Sequence, residues 1–204
     1  ELAAKMGSVN TLVRVDGGYK GYNTDMTGLY RAMSSDGVSI QGEQVIVLGA
    51  GGVGRAVAFM CAAKGAAHVW LLNRTVEKAD EVAKEVNLAE GRSCVEALAM
   101  SDYDKLPDEK YLVIQSTSVG LYPHVEDAVI TDPAFYHKVK AGYDLIYRPW
   151  ETRFMQLVKE QGAPAYNGLK MLLYQGIEAF ELWNQCKIED ESAYKLYEML
   201  RTTV

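Results

Sequence analysis

Apolar and helical patterns alternate along the middle of the chain. Residues 45–48 form a continuous apolar run rich in β-branched side chains, which predicts a strand covered on both faces, as in a parallel sheet. Helical spacing follows over 55–64, and a second apolar run occupies 68–72. Strand patterns return at 111–115 and 141–147. This alternation of strands and helices predicts an α/β fold.

The segments on either side of this alternation carry weaker patterns. Residues 1–6 have the pattern of a helix end, with Gly7 as its C-cap. Two strands, 8–15 and 19–22, are predicted around a hairpin turn at 16–18. Further helices are predicted at 26–33, 76–86, 152–161, 169–183 and 190–200. A weaker pattern covers 88–100, with an acidic helix that continues into 102–104.

A glycine motif follows the first strand of the alternating region directly. Gly49, Gly51 and Gly54 form G-x-G-x-x-G between that strand and the next helix. In this context the first glycine permits a tight turn, the second lets the backbone approach a pyrophosphate, and the third lets the helix lie close to the sheet. We therefore predict a Rossmann-type, doubly wound parallel sheet, with a structural turn as the alternative. The predicted dinucleotide loop consists of Gly49, Ala50, Gly51, Gly52, Val53 and Gly54.

The end of the second strand indicates which dinucleotide is bound. NAD sites usually carry Asp or Glu there, whereas a 2′-phosphate requires a cation and no acid. This chain has Asn73, Arg74 and Thr75, and its first acid comes at Glu77. Arg74 is suited to pairing with a phosphate, and its neighbours to hydrogen bonding. The pattern favours NADP, although a surface Arg beside a helix-capping Thr75 is the alternative.

Charge, apolar run length and cysteine content argue against nucleic-acid binding, membrane insertion and metal binding. The chain has 21 Lys and Arg against 27 Asp and Glu, and this net charge of −6 argues against nucleic acid as a partner. No apolar run approaches the length of a membrane span. The cysteines are odd in number and widely spaced, which is typical of reduced thiols in a cytoplasmic protein. The scattered histidines and cysteines predict no metal site.

Several polar positions stay open between structural and binding roles. Thr24 and Asp25 precede a helical pattern, and both residue types are good helix N-caps. The loop 116–123 would lie at the carboxyl edge of the sheet, where open α/β folds bind ligands, but a Ser/Thr turn explains it equally. Met171 and Gln175 lie one turn apart on a predicted helix, where a Met is usually part of the core.

Taken together, the motifs resemble those of the shikimate dehydrogenases in order and spacing. The resemblance covers nearly the whole chain and includes the glycine loop. Its other motifs are GSVNT at 7–11, GYNTD at 21–25, NRT at 73–75, STSVG at 116–120, DLIYRP at 144–149 and GLKMLLYQGIEAF at 168–180.

This resemblance implies a reaction and a set of roles. The family reduces 3-dehydroshikimate to shikimate reversibly with NADPH, in chorismate and aromatic amino-acid biosynthesis. By resemblance, Asp25 is half of a catalytic Lys–Asp pair, in which a carboxylate orients the Lys that handles the proton. The implied substrate-binding residues are Asn10, Thr24, Asp25, Tyr147 and Gln175. The implied cofactor contacts beyond the glycine loop and 73–75 are Thr117, Ser118, Gly168 and Met171.

The chain also departs from the family pattern. The family's catalytic Lys belongs to an N-V-T-x-P-x-K motif, and its substrate site includes S-x-S; neither family motif occurs in these 204 residues. Because the chain also starts at Glu1 without Met, we expect a fragment that is inactive by itself. Gln115 and Ser116 stand where family members often have Asn-Ala, which puts side-chain contacts there in doubt.

The expected organisation has three parts. Residues 1–25 are predicted to be the remnant of an α/β substrate-binding domain, 26–167 the NADP-binding domain, and 168–204 helices that return to the substrate domain. The expected ligands are NADP and a small-molecule substrate, and the expected state is a monomer or homodimer.

Three alternatives remain at this stage. An adenylating enzyme of the ubiquitin-activating type shares the glycine loop, but it would normally have an acid where Arg74 stands. A quinate/shikimate dehydrogenase using NAD or both cofactors would keep nearly all the motifs. A non-catalytic NADP-binding fragment would keep the glycine loop without needing Asp25 or Gln175.

Overall fold

The computed structural model describes residues 2–203. Its strands are β1 Thr11–Val15, β2 Gly18–Tyr22, β3 Gln44–Leu48, β4 His68–Asn73, β5 Val95–Ala99, β6 Tyr111–Gln115, β7 Val139–Asp144 and β8 Ala165–Tyr166. Its helices are α1 Leu2–Met6, α2 Thr24–Ser35, α3 Gly52–Ala63, α4 Val76–Glu90, α5 Pro133–Tyr136, α6 Arg153–Glu160, α7 Leu169–Asn184 and α8 Asp190–Thr203, with a 3-10 helix at Met100–Lys105.

The elements fall into two units. Residues Ser39–Gly168 form one unit, which we call the sheet unit. The described residues up to Val38 and from Leu169 onward form the other, which we call the helical unit.

A six-stranded parallel sheet organises the sheet unit. Its strand order is β5-β4-β3-β6-β7-β8, and the chain enters at β3 and moves outward first to one side and then to the other. This order is that of a Rossmann-type sheet, with its switch point between β3 and β6. The predicted α/β fold with a Rossmann-type parallel sheet is confirmed.

Both faces of the central strands are buried. Ile46 and Leu48 of β3 join a core cluster with Val113 of β6, Phe135 of α5 and Phe154 of α6. Alternate residues of a strand point to opposite faces, so the neighbouring valines of β3 face the other way. Because β3 is fully buried from Val45 onward, its sequence is uniformly apolar rather than alternating.

The acidic helix predicted over 88–100 and into 102–104 is wrong between its two ends, although a 3-10 helix does occupy Met100–Lys105. Helix α4 ends at Glu90, Gly91 follows in the left-handed region with φ 66°, and Val95–Ala99 forms the edge strand β5. The side chain of Asn87 fixes this change of direction, since its Oδ1 accepts hydrogen bonds from the amides of Cys94 at 2.8 Å and Val95 at 2.9 Å. An alanine-containing edge strand has a weak pattern of its own, and pairing with β4 overrides it.

A hairpin and long helices make up the helical unit. Strands β1 and β2 pair in antiparallel register, and Gly17 occupies their turn with φ 84°. Helix α2 packs against α7, where Arg31 pairs with Glu178 at 3.2 Å and Glu181 at 3.0 Å. A domain that starts at residue 26, as predicted for NADP binding, would include α2, whereas α2 clusters with α7 in the helical unit because its buried face packs there.

Among residues 2–203, no helix is both long enough and apolar enough to cross a membrane.

Candidate functional site

The glycine loop leaves an open space above the first turn of α3. Gly49 has φ 102°, and a Cβ on Gly54 would lie 1.9 Å from the carbonyl oxygen of Gly49, so both positions require glycine. A Cβ on Gly51 or Gly52, by contrast, would meet nothing within 4 Å. Gly51 occupies the N-cap position, and no side chain caps the helix. The free amides at this helix start are suited to binding an anion.

Asn73 holds the glycine loop in place. Its Oδ1 accepts a hydrogen bond from the amide of Ala50 at 3.1 Å, and its Nδ2 donates to the carbonyl oxygen of Thr75 at 2.8 Å. Thr75 stands at the N-cap of α4, but its side chain makes no capping hydrogen bond, so the capping interpretation of that hydroxyl is not supported. Asn73 therefore has an internal role that the sequence did not indicate.

Arg74 lines a cavity of about 760 Å³ at the carboxyl edge of the sheet. The cavity is also lined by polar residues, among them Thr117 and Ser118 of the loop after β6, and by two acids. These polar and acidic residues are Asn73, Ser101, Thr117, Ser118, Glu126, Asp127 and Thr131. Arg74 is exposed, with no ion pair or hydrogen bond from its side chain to any other residue in the range 2–203. Its guanidinium is thus available to a ligand in the cavity.

Ser116 joins the loop after β6 to the glycine loop. Its Oγ donates to the carbonyl oxygens of Leu48 at 2.7 Å and Gly49 at 3.3 Å. The absent Cβ of Gly49 would lie 2.7 Å from the Thr117 methyl group, so the two loops are in close contact. The Ser116 hydroxyl is therefore used in hydrogen bonds within the protein.

Gln115 and Asp144 form a buried polar network between the ends of β6 and β7. Gln115 Oε1 accepts from the Thr117 amide at 2.5 Å, and its Nε2 donates to the Val119 carbonyl oxygen at 3.1 Å and to Asp144 Oδ1 at 3.4 Å. Asp144 also accepts from the Ile146 amide at 2.9 Å and from Thr152 Oγ1 at 2.6 Å. The network fixes the loops that follow both strands.

Burial raises the pKa of Asp144 to about 6, although its three hydrogen-bond donors oppose the shift. The side chain is fully shielded from solvent and is surrounded by neutral donors rather than by cations. Asp144 is therefore the most strongly perturbed carboxyl group of the sheet unit, at the base of its ligand-facing edge.

A second cavity, of about 630 Å³, lies beside the start of α3 and the loop after β7. Tyr147 and Arg148 line it together with Val53, Thr117 and Ser118. The loop after β7 also packs against Gly168, whose amide donates to the Ile146 carbonyl oxygen at 3.0 Å and whose absent Cβ would lie 2.1 Å from the Leu145 carbonyl oxygen. The geometry of Gly168 is thus explained by close packing alone, and its cofactor role stays a prediction.

In the helical unit, Asn10 and Thr24 are brought together at the start of α2. Asn10 Oδ1 accepts hydrogen bonds from the Thr24 amide at 2.9 Å and from Thr24 Oγ1 at 3.2 Å. Thr11 Oγ1 joins the cluster, 3.2 Å from Thr24 Oγ1. Two of the predicted substrate-binding residues therefore belong to one polar cluster.

Asp25 sits beside this cluster without capping the helix. The N-cap of α2 is Asn23, whose Oδ1 accepts from the Met26 amide at 3.1 Å, so the sequence-based assignment of the cap to Thr24 or Asp25 is wrong by one or two residues. Burial raises the pKa of Asp25, and a hydrogen bond with the Asn10 side chain partly opposes that shift. Because Asn23 caps the helix, the half-buried carboxyl group of Asp25 is available to a ligand.

Met171 and Gln175 lie on α7, in the helical unit. Both are partly buried, and the backbone of Gln175 packs against α2, where a Cβ on Gly28 would lie 2.5 Å from the Gln175 nitrogen. Their ligand roles stay predictions.

Three residues with roles at the sheet edge were not assigned from the sequence. Gln115 and Asp144 act through side-chain hydrogen bonds that no pattern reveals, although an acid ending an apolar strand was a signal for Asp144. Arg148 is part of the DLIYRP motif, but the sequence indicated no role for its side chain. Its place in a cavity depends on the fold of the loop after β7. Among residues 2–203, no group of three His, Cys, Asp or Glu side chains converges as metal ligands would.

Comparisons with known proteins agree with this geometry. The family model described as shikimate/quinate 5-dehydrogenase matches residues 32–131, and the shikimate 5′-dehydrogenase C-terminal domain matches 168–194. The shikimate dehydrogenase (NADP(+)) of Methanosarcina barkeri is 38% identical over 183 residues, and that of Bacillus cereus strain B4264 is 40% identical over 189. Each match covers 89% of this chain, and the chain spans about 65% of the length of these relatives.

Solved structures give the same result over both units. The shikimate 5-dehydrogenase of Thermus thermophilus, in complex with NADP(H) and shikimate, is 32% identical with a TM-score of 0.78, covering 98% of this chain and 70% of that one. A chorismate mutase/shikimate 5-dehydrogenase fusion protein from Clostridium acetobutylicum is 30% identical with a TM-score of 0.86, covering 100% and 71%. From this identity, these family models and the shared fold, the chain belongs to the shikimate dehydrogenase family.

Proposed function

We propose that this chain carries the cofactor-binding and part of the substrate-binding machinery of an NADP-dependent shikimate dehydrogenase, which reversibly reduces 3-dehydroshikimate to shikimate. The observation that carries the proposal is Arg74. It is a cation without a partner among the described residues, at the end of β4 where an NAD site would have an acid, and it lines a cavity beside the glycine loop.

The sheet unit fits a dinucleotide phosphate. The uncapped start of α3 offers free amides to the diphosphate, and Gly51 and Gly52 leave room for it to approach the backbone. Arg74 would pair with the 2′-phosphate, while Asn73 keeps the loop in shape. Both cavities are also lined by residues 117–118, which would contact the middle of the cofactor. When bound, NADPH supplies the hydride, and the protein supplies position and electrostatics.

The helical unit fits a hydroxyl-rich substrate. The polar cluster of Asn10, Thr11 and Thr24 and the adjoining carboxyl group of Asp25 present several hydrogen-bonding groups from one place. Asp25 would hold a ring hydroxyl and orient the family's Lys, and Gln175 would add a further substrate contact. In the sheet unit, Tyr147 keeps its predicted substrate role. The Thermus relative, 32% identical to this chain, was solved with shikimate and NADP(H) bound, which supports assigning both ligands.

One alternative has a specific observation in its favour. The matching family model includes quinate dehydrogenases by its description, and the Listeria monocytogenes shikimate 5-dehydrogenase, 28% identical to this chain, was solved with shikimate and NAD. Dual cofactor use is therefore the second candidate. The absence of an acid from residues 73–75 favours NADP over it.

The test is the replacement Arg74→Ala, with NADP⁺ and NAD⁺ titrated against the 204-residue chain by calorimetry. Because a charge-assisted bidentate pair contributes about 1.5–3 kcal/mol, we expect NADP⁺ affinity to fall roughly tenfold to a hundredfold, while NAD⁺ affinity stays unchanged. Lys84→Ala, which removes an equal charge from an exposed position on α4, is the matched control. An equal loss for both dinucleotides would contradict the assignment of Arg74 to the 2′-phosphate.

A further inference from the structure

Most arginines of the sheet unit are paired with protein groups. Arg55 pairs with Glu85 at 2.8 Å, Arg92 donates to the carbonyl oxygens of residues 62 and 66, and Arg153 pairs with Glu160 at 2.8 Å. The two other arginines of residues 39–168 are Arg74 and Arg148, and within the described chain the side chain of neither makes an ion pair or a hydrogen bond. In the sheet unit, these unpaired guanidinium groups are thus confined to the two cavities at the carboxyl edge of the sheet.

Arg148 and Arg74 line different cavities of the same edge. Arg148 lines the 630 Å³ cavity, and Arg74 lines the 760 Å³ cavity. Thr117 and Ser118 belong to both linings, so the two cavities adjoin along this loop. A ligand extended along the sheet edge would meet one arginine in each cavity.

No acid is found among the described residues that line the Arg148 cavity. Among described residues, the rest of the lining is neutral and consists of Val53, Ser116, Thr117, Ser118, Leu121, Tyr122, Leu145, Ile146 and Tyr147. The chain as a whole has a net charge of −6, whereas the charged residue that lines this cavity is an arginine. The charge of the cavity lining is therefore opposite in sign to that of the chain. A guanidinium with several free donors and no protein acceptor is suited to a planar or tetrahedral oxyanion.

We propose that Arg148 is a second anion-binding residue of this site and contacts an anionic oxygen group of the ligand in the 630 Å³ cavity. The inference rests on the proposed function, which supplies two such groups: the diphosphate of the dinucleotide and the carboxylate of the substrate. Val53, in the first turn of α3 where the diphosphate is proposed to bind, and Tyr147, a predicted substrate contact, both line this cavity. Both sources offer the same chemistry to the guanidinium.

The experiment compares the chain with its Arg148→Gln and Arg148→Lys variants, using calorimetric titration of NADP⁺ and NAD⁺ at two salt concentrations. If the diphosphate is the partner, Arg148→Gln weakens both dinucleotides by the same factor of about ten, because both carry that group. Arg148→Lys restores part of the affinity, and the difference between wild type and Arg148→Gln shrinks at high salt. Lys84→Gln, an equal charge change on α4, serves as the control.

A second arm distinguishes the substrate carboxylate. Shikimate and its methyl ester are titrated into the NADP⁺-saturated chain, and binding is followed by saturation-transfer NMR. If the carboxylate is the partner, Arg148→Gln leaves dinucleotide affinity unchanged and weakens shikimate but not the ester.

Unchanged dinucleotide affinity with no loss of shikimate binding would overturn the inference. Failure of the wild-type chain to bind any dinucleotide would instead overturn the proposed function, so the two failures are separable.

Discussion

Asp144 illustrates how a single buried side chain supports a ligand-facing edge. Its two oxygens accept hydrogen bonds from Thr152, Ile146 and Gln115, and Gln115 in turn holds the amide of Thr117. The carboxyl group thereby connects the loop after β6 to the loop after β7. This connection has an energetic cost, since burial disfavours the charged form of Asp144 and raises its pKa to about 6.

The cost predicts a pH dependence of stability. Between the ordinary pKa of 3.8 and the folded value of about 6, the folded chain holds a proton on Asp144 that the unfolded chain has lost. This stabilising contribution is fully present below 3.8 and is lost as the pH rises through 6, a change of about 3 kcal/mol. We expect the unfolding free energy of wild type, minus that of Asp144→Asn, to fall by up to this amount between about pH 4 and about pH 7.5. Urea denaturation at several pH values measures it, and a difference independent of pH would contradict the prediction.

The candidate site was predictable from sequence where chemistry is local. The glycine loop and Arg74 could be proposed from the sequence because their predicted roles depend on residue type and on position relative to a strand. The internal roles of Asn73, Gln115 and Asp144 were not, since each depends on a partner distant in sequence that the fold brings near. Capping was misplaced by one or two residues because all three residues of 23–25 are of good capping types, and only the backbone selects Asn23.

At the scale of elements, different glycines of the glycine loop serve the packing of the fold and the proposed approach of the ligand. Gly54 permits α3 to approach the end of β3, because any Cβ there would collide with the Gly49 carbonyl oxygen. Gly51 faces open space, so its lack of a side chain serves no packing purpose in the described structure. Packing of α3 against β3 therefore requires glycine at position 54, whereas at position 51 packing imposes no such requirement.

Alanine substitution at each glycine tests this separation. Gly54→Ala should destabilise the chain by about 1–3 kcal/mol, as overpacking does. Gly51→Ala should keep the unfolding free energy within about 0.5 kcal/mol, since its φ of −74° suits any residue, yet it should weaken NADP⁺ because the methyl group occupies the approach of the diphosphate. Urea denaturation and calorimetric titration measure the two effects. Wild-type NADP⁺ affinity in Gly51→Ala would show that the diphosphate does not approach there.

Strands with a strong, continuous apolar signal were predicted correctly, whereas features that depend on a distant partner were not. Strands β3, β4 and β6 are largely apolar because both faces are covered, and this signal is strong in the sequence. Strand β5 has an alanine-containing sequence and acquires its conformation by pairing with β4. The assignment of α2 to a unit depends on its packing against α7, distant in the chain, which no local pattern encodes.

At the scale of the whole molecule, the groups assigned to cofactor and substrate are divided between the units. The glycine loop, residues 73–75 and Arg148 lie in the sheet unit, while Asn10, Thr24 and Asp25 lie in the helical unit. The sheet unit contains the complete run of six strands and both cavities described above. The residues proposed to contact the dinucleotide, apart from Met171, therefore belong to the sheet unit.

The final prediction follows from this division and from the motifs of the family. The 204 residues contain no match to the motif that carries the family's catalytic Lys, so we expect them to bind NADP⁺ without oxidising shikimate. At a roughly hundredfold excess of NADP⁺ over its dissociation constant, binding should stabilise the chain by about 2.7 kcal/mol, and the tenfold to hundredfold affinity loss expected for Arg74→Ala should reduce that gain to about 0.4–1.4 kcal/mol at the same concentration. Thermal unfolding measures the stabilisation, and NADPH absorbance measures turnover, with the Thermus relative as positive control. Turnover by the chain itself would mean that one of its own groups carries the proton, and Lys5 and Lys20, which lie nearest to Asn10 and Asp25 in sequence, would be the first to replace.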